Sequence, residues 1–315
     1  MLYPDFKELM EIGARSAGVS LTARRKAVSV ITGDYKSPFR GRGLEFEEVR
    51  AYVLGDDVRN IDWRVTARTG QPHLKLYSED RERSVLVSVD CNESMRFGTR
   101  GTFKSIQAAR AAALIGWAAV HENNRFGASL YGNVPEGQRF FGPRRSRRSL
   151  WRMFRLLCDT QDYNKQPVAL EDHLQYLGKA VPSGSLIFII GDFMDLGLDL
   201  KKRLADLHAR ADVVLIAVND PADGRLEKAG TIVFSGGNQE RLIIDTDDRE
   251  GSRAYERSWK HNRHMLDEMV KSLGLGFVQL YTNRDVRTDL ILGLRLIRKI
   301  GGRGAGSKRT ASAAD

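Results

Sequence analysis

The sequence contains few of the residues on which metal and redox sites depend. Among 315 residues there are two cysteines, Cys91 and Cys158, and six histidines. Two cysteines cannot form a metal cage alone, and these two lie in segments whose patterns indicate a turn and a helix. We therefore expect free, buried thiols rather than a redox pair.

Several long or conspicuous signals are also missing. No apolar run approaches the roughly 18 residues that a membrane-spanning helix needs, and residues 1–6 lack the basic and apolar regions of a secretory signal. No phosphate-cradling glycine loop, dinucleotide fingerprint or Ser/His/Asp order is present. We expect a soluble, cytoplasmic protein.

Acidic residues are absent from the most basic segment. The net charge is +10, yet residues 139–155 alone carry seven arginines and no acid, and residues 295–315 carry six basic residues against one acid. The remainder of the chain is therefore nearly neutral, so a nucleic-acid binder acting through its whole surface is not expected. The arginine-rich segment and the basic tail offer an alternative function, the binding of nucleic acid or an anionic surface.

Strands and helices alternate through most of the chain. Residues 84–95 form an apolar strand that runs into a turn rich in side-chain oxygens, and further strand patterns are separated by helix patterns. Such spacing requires crossover connections, which predicts an α/β fold with a doubly wound, mostly parallel sheet and helices on both faces. We divide the chain into an N-terminal extension of helix and short strands packed on the main body (1–80), the α/β domain (81–285), and a basic amphipathic helix with a disordered tail (286–315).

A charged block precedes the central strand. Between residues 43 and 68, acids and arginines alternate with single large apolar residues, which indicates half-buried short elements whose charges pair. We expect Trp63 to be buried and to pin this segment to the body. A catalytic carboxylate cluster of Asp56, Asp57 and Asp62, serving a hydrolase, is the alternative. The predicted structural network comprises Glu47, Arg50, Asp56, Asp57, Arg59, Asp62, Trp63 and Arg68.

Two motifs carry a family resemblance. The strand ends in Asp90-Cys91-Asn92-Glu93-Ser94-Met95, and the charged block contains Gly55-Asp56-Asp57-Val58-Arg59-Asn60-Ile61-Asp62-Trp63. Across roughly residues 40–285 the chain resembles the domain-of-unknown-function 58 (DUF58) family, which is similar to von Willebrand factor type A domains. The resemblance implies a domain that binds partners and does not catalyse. It further implies an adaptor for a MoxR-type AAA+ ATPase in chaperone-like remodelling of a client protein.

The same resemblance implies a degenerate metal site. Asp90 and Ser94 match the family's magnesium motif, and Asn92 stands where the motif has a serine. Asp192 follows a later strand, at the position where the family has its second aspartate. Val168 occupies the position of a threonine ligand and has no hydroxyl, so we expect Mg²⁺ binding to be weak or absent. Asp90 and Asp192 would otherwise cap neighbouring helices.

Partner-binding candidates lie around this turn and in the basic segment. The acidic candidates are Asp90, Glu93 and Asp195. The basic candidates are Arg144, Arg145, Arg147 and Arg148, which are followed by the interleaved aromatic residues Trp151 and Phe154. Aromatic residues between arginines suit an anionic partner, although the same pattern is typical of a helix that packs its aromatic side on a sheet.

Overall fold

The chain divides into two compact units, a small one of Arg25–Glu82 and a large one of Met1–Arg24 with Arg83–Asp315. The N-terminal helix thus belongs to the large unit and not with the charged block. The computed structural model describes residues 3–21, 44–53, 58, 61–79, 83–161, 168–235 and 241–303. The predicted disordered tail beyond residue 303 lies outside the described residues.

The described residues of the small unit include a strand pair and a helix. Strand β1 (Leu44–Ala51) pairs antiparallel with β2 (His73–Glu79), and helix α2 (Trp63–Thr69) lies between them in sequence. Asp62 begins the helix as its N-cap, because its carboxylate accepts hydrogen bonds from two first-turn amides at 3.0 and 3.3 Å. Gly70 ends the helix with a left-handed φ of 72°.

The prediction that Trp63 is buried is wrong. Its side chain is 71% exposed, whereas the preceding Asp62 is buried. Trp63 is the first residue of α2, and the buried Asp62 before it has an extended backbone that turns its carboxylate back onto the first-turn amides. Trp63 therefore cannot anchor the segment through burial.

A six-stranded sheet forms the centre of the large unit. Its strands are β3 (Ser84–Cys91), β4 (Arg125–Gly132), β5 (Gln138–Arg144), β6 (Leu186–Gly191), β7 (Asp212–Asn219) and β10 (Gly276–Tyr281). They are arranged in the order β10-β7-β6-β3-β4-β5, and all neighbours are parallel except β4 and β5. The predicted α/β fold with a mostly parallel sheet is confirmed.

Helices cover both faces of this sheet, as predicted. One face carries α1 (Phe6–Arg15), α3 (Lys104–His121), α4 (Arg148–Leu157) and α9 (Val286–Arg303). The other carries α5 (Leu170–Ala180), α6 (Leu200–His208) and α8 (Arg249–Leu273). In β3, Val85 and Val87 face the first core and Leu86 the second, since successive strand residues point to opposite faces.

The connection between β7 and α8 carries extra structure. A one-turn helix, α7 (Pro221–Gly224), follows β7, and the hairpin of β8 (Thr231–Ser235) and β9 (Arg241–Asp245) comes next. This connection leaves the carboxyl end of β7, so the hairpin is an insertion on that edge of the sheet.

The described residues include both cysteines and most of the helices. Cys91 and Cys158 are free and half-buried, as expected for isolated thiols. Burial raises the pKa of the Cys158 thiol to about 12, so it stays protonated and poorly nucleophilic at neutral pH. Among the described helices, none is both long and apolar enough to cross a membrane.

Candidate functional site

Three carboxylates meet where three neighbouring strands end. Asp90 is the penultimate residue of β3, Asp192 follows β6, and Asp223 lies in the turn after β7. All three are buried. A Cβ on Gly191 would lie 3.3 Å from the Asp90 Cβ, so the glycine permits β3 and β6 to bring their polar ends together. This is the edge where open parallel sheets hold ligands.

Asn92 links two loops at this edge. Its Nδ2 donates to the Val168 carbonyl oxygen at 2.9 Å, and its Oδ1 accepts from the Val168 amide at 2.9 Å. The side-chain amide thus pairs with the backbone as a neighbouring strand would. Asn92 therefore holds Val168 through the Val168 backbone, and the side-chain oxygen of Asn92 is already occupied by this hydrogen bond.

A lysine ammonium occupies the cationic position between the carboxylates. Lys104 is the first residue of α3, and its side chain is only 3% exposed. Its Nζ lies 2.8 Å from Oδ1 of Asp223 and 3.5 Å from Oδ2 of Asp192. The Phe97 ring covers the ammonium with its centroid 5.3 Å away. The buried ammonium therefore has its counter-charges within the protein, as a buried charge requires.

The residues present do not fit a magnesium ion. Mg²⁺ demands near-octahedral oxygen ligands, yet Asp192 already faces the Lys104 ammonium and Asn92 is bonded to the Val168 backbone. Ser94, the third motif residue, is exposed in a short 3₁₀ turn. Within the described parts of the chain, no group of three or more His, Cys, Asp or Glu side chains is arranged to hold a metal.

Asp90 is the most perturbed carboxyl group of this site. Burial and, second, the nearby charge of Asp192 raise its pKa to about 7. The Tyr131 hydroxyl donates to its Oδ2 at 3.1 Å, and the Asn92 amide donates to its Oδ1 at 2.8 Å. A pKa near 7 means that Asp90 carries a proton in much of the folded population at neutral pH.

With Asp90 protonated, two carboxylates face two basic side chains, and the neighbouring buried Asp220 carboxylate is satisfied separately by the Thr99 and Thr282 hydroxyls. The Asp192 and Asp223 carboxylates face the Lys104 ammonium and the Arg263 guanidinium, whose Nη2 donates to the Asp192 carbonyl oxygen at 2.8 Å. Two negative and two positive groups remain. Such an arrangement fixes the ends of β3, β6 and β7 relative to α3 and α8 without a metal ion.

A buried histidine lies behind Asp90. The His173 ring stacks on Tyr131 with centroids 4.3 Å apart, and its Nε2 lies 2.9 Å from the Ser88 Oγ. Burial lowers the pKa of His173 to about 3, so the ring is neutral. Because the ring is fully buried, it cannot reach a substrate as a general base. It acts as packing that holds Tyr131 against Asp90.

The outer rim of the same edge is exposed and partly apolar. On the loop after β6, Met194 is 37% exposed and Leu198 is fully exposed, while Asp195 between them faces solvent. The Asn262 side chain of α8 holds this loop by donating to the Met194 carbonyl oxygen at 2.9 Å. Glu93 is also exposed, at the end of β3.

The inserted hairpin adds a second apolar surface to this edge. Val233 of β8 pairs directly with Ile243 of β9, and their exposed fractions are 54% and 66%. Side chains that are paired across neighbouring strands lie on one face of a hairpin. The rim that we define by Glu93, Met194, Asp195, Leu198, Val233 and Ile243 therefore combines apolar side chains with two acids.

The structure separates the predicted partner-binding residues. Glu93 and Asp195 lie on the rim, whereas Asp90 is buried beneath it. The four arginines are exposed around the end of β5 and the start of α4. Because β5 runs antiparallel to the rest of the sheet, its carboxyl end lies at the opposite edge. These candidates therefore form two sites and not one.

The charged block supplies no described catalytic cluster. Asp62 uses its carboxylate to cap α2, and the guanidinium of Arg50 donates to the Ala51 carbonyl oxygen at 3.1 Å. Arg68 is exposed in the last turn of α2. Asp56, Asp57, Arg59 and the side chain of Glu47 lie outside the described residues.

Sequence analysis missed Lys104, Asp223 and Arg263. A signal existed for Lys104, because acids and not bases are favoured in the first turn of a helix. A signal also existed for Asp223, because Asp220 and Asp223 lie in the turn that follows an apolar strand, just as Asp90 lies where β3 runs into its turn. Nothing in the sequence of α8 distinguishes Arg263 from its many charged neighbours.

Comparisons with known proteins give a family. Residues 48–265 match the model of a family described as "Protein of unknown function DUF58". The uncharacterized proteins Rv1480 of Mycobacterium tuberculosis and Mb1516 of Mycobacterium bovis are each 29% identical over 288 residues, which cover 89% of this chain and 88% of the relative.

Solved structures with some likeness include two proteins of different origin. One is an aerotolerance-related membrane protein from Bacteroides fragilis, with 13% identity, a TM-score of 0.41, and coverage of 69% of this chain and 99% of that chain. Another is the SpRpn10 VWA domain, with 11% identity, a TM-score of 0.40, and coverage of 67% and 94%. The fold assignment rests on the strand order and the helix placement described above.

Proposed function

The chain belongs to the family described as protein of unknown function DUF58, and from this premise we propose that it is a non-enzymatic, protein-interaction adaptor. It works in the cytoplasm with a MoxR-type AAA+ ATPase and presents a client for chaperone-like remodelling. The ATPase and the remodelling role come from the family resemblance. The docking surface comes from this chain's own residues.

The exposed apolar rim carries the proposal. Leu198 is fully exposed on a loop that α8 holds in place, and Val233 and Ile243 form an exposed pair on the inserted hairpin. Exposed apolar side chains gathered on one edge, with polar residues among them, are typical of protein-interaction surfaces. Glu93 and Asp195 add acids that favour a partner with a basic contact surface.

The closed interior of the same edge supports a binding role over a catalytic one. Lys104, Asp192 and Asp223 neutralise one another below the rim, and His173 is sealed inside. The groups that would perform acid–base chemistry are therefore occupied with holding strand ends together. A rigid edge of this kind presents its loops in one arrangement, which reduces the entropy lost on docking.

A pull-down with the purified MoxR-type ATPase tests the proposal. We expect wild-type protein to retain the ATPase and Leu198→Ser to retain roughly tenfold less, because removing a large exposed apolar contact from an interface costs about 1–2 kcal/mol. Leu296→Ser is the matched control. Leu296 is 59% exposed on α9 and lies outside the rim, so the same chemical change should leave binding intact.

Two results would contradict the rim as the docking surface. Equal retention by Leu198→Ser, Val233→Ser and wild type would remove it from the interaction. Equal loss by Leu198→Ser and Leu296→Ser would indicate nonspecific apolar association. Asp90→Ala adds a test of the buried crevice, since full binding by that variant would show that the carboxylate itself makes no contact.

A further inference from the structure

A second concave site lies on the other side of the molecule. Between strand β5 and the first turns of α4 there is a pocket of about 170 Å³. Three arginines, two phenylalanines and two small residues form its wall: Arg144, Arg148, Arg152, Phe140, Phe141, Gly142 and Ser149. Neither the proposed adaptor role nor the rim uses any of these residues.

The pocket and the rim lie at opposite ends of the strands of the central sheet. Arg144 pairs with Phe126 near the start of β4, whereas Tyr131, near the end of β4, pairs with Asp90. The arginine pocket therefore lies towards the amino edge of the parallel strands. A ligand here cannot contact the carboxyl edge at the same time.

The three pocket arginines have no acidic partner among the residues that the structure describes. Elsewhere in the same segment the positive charges are engaged, since Arg139 pairs with Glu136 at 3.0 Å and Arg147 lies over the Trp117 ring at 5.6 Å. Of the three pocket arginines, Arg152 alone lies over an aromatic ring of the described residues, that of Phe141 at 5.8 Å. Three guanidinium groups thus share one concave space in which the described part of the chain supplies no counter-charge.

The start of α4 makes the charge of this space more positive. The helix has no acid in its first turn, and its N-cap, Arg147, forms no capping hydrogen bond through its side chain. A helix N-terminus carries a partial positive charge and favours an anion, so Arg148 at the first position is electrostatically unfavourable on its own. An anion bound in the pocket would offset the partial charge of the helix N-terminus and the charge of the Arg148 guanidinium.

We propose that this pocket binds the phosphate groups of a small phosphorylated ligand of pyrophosphate type. Guanidinium forks match phosphate oxygens two at a time, which an ammonium cannot do. A single water needs roughly 10–15 Å³ of such space, so the pocket has room for about ten non-hydrogen atoms. Its arginines converge on one cavity and do not follow a groove, which distinguishes it from the track that a nucleic-acid strand requires.

Calorimetric titration of the full chain with pyrophosphate tests the site. We expect saturable one-to-one binding that weakens with added salt. Arg148→Gln and Arg152→Gln should each weaken it roughly tenfold to a hundredfold, because each removes a charge-assisted hydrogen-bond donor. Arg155→Gln is the matched control, since Arg155 is an exposed arginine of the same helix that does not line the pocket. It should change affinity by less than about threefold.

Further titrations identify which kind of phosphorylated ligand binds, and they can refute the proposed site. Tighter binding of a nucleoside diphosphate than of pyrophosphate would support it and place a base near Phe140 or Phe141. No saturable binding of either would refute it. Equal losses in Arg152→Gln and Arg155→Gln would show diffuse charge attraction instead. A single-stranded oligonucleotide that binds and is not displaced by pyrophosphate would assign the segment to nucleic acid and also overturn the proposal.

Discussion

Replacing Lys104 by methionine should destabilise the large unit strongly. Methionine fills similar volume but leaves Asp192 and Asp223 without the ammonium that lies 3.5 and 2.8 Å from their oxygens. Removing one partner of a buried ion pair costs about 3–5 kcal/mol, because the remaining charge stays desolvated. Total stabilities of folded proteins are about 5–15 kcal/mol, so the loss would be a large fraction.

Urea unfolding followed by circular dichroism measures this effect, and its pH dependence identifies the cause. Burial already raises the pKa of the Asp223 carboxyl and the Lys104 ammonium opposes that shift, so removing the ammonium raises the folded-state pKa of Asp223 further. A carboxyl with a raised pKa stabilises the fold at low pH and loses that contribution as pH rises. We therefore expect the deficit of Lys104→Met to be largest at neutral pH and to shrink in acid.

The control is Lys7→Met, since Lys7 is 84% exposed and lies 3.9 Å from Glu11 on α1. An exposed pair of this kind contributes about 1 kcal/mol at most. A Lys104→Met deficit no larger than that of Lys7→Met would refute the assignment of Lys104 as the cation of the site. So would a wild-type unfolding midpoint that rises with Mg²⁺ and falls with a chelator.

Two further predictions concern groups whose environments differ from their sequence appearance. Asp90 and His173 have opposed pH effects: the fold loses the Asp90 contribution as pH rises from 3.8 to about 7, and gains that of His173 as pH rises from about 3 to 6.5. Relative to wild type, the unfolding free energy of Asp90→Asn should therefore rise with pH and that of His173→Phe should fall, each by up to about 1.4 kcal/mol per pH unit in urea titrations. Variant curves that run parallel to the wild-type curve would contradict this. Trp63→Ala should change unfolding free energy by about 0.5 kcal/mol or less, whereas Trp117→Ala, which removes a 6% exposed ring bonded to the Leu9 carbonyl oxygen, should cost about 3–5 kcal/mol. Equal losses would show that Trp63 is buried in solution.

The sequence predicted the architecture because its signals are local and repeated. The continuous apolar run of β3 and the long alanine-rich pattern of α3 each identify a buried element, and their alternation requires parallel strands with crossovers. The same reasoning placed Asp90 at the carboxyl edge, and the family resemblance added Asp192. Strand ends are determined by chain order, so residues that follow them are predictable without coordinates.

The tertiary structure alone decided what these residues contact. Lys104, Asp223 and Arg263 come from separate elements and meet only because β6 and β7 lie between α3 and α8. Whether a tryptophan beside a helix cap is buried depends on which side of the helix faces the core, and Trp63 faces solvent. The family resemblance implied a degenerate metal site at the turn after β3, whereas the tertiary structure places a lysine ammonium distant in sequence against the Asp192 and Asp223 carboxylates of the same edge.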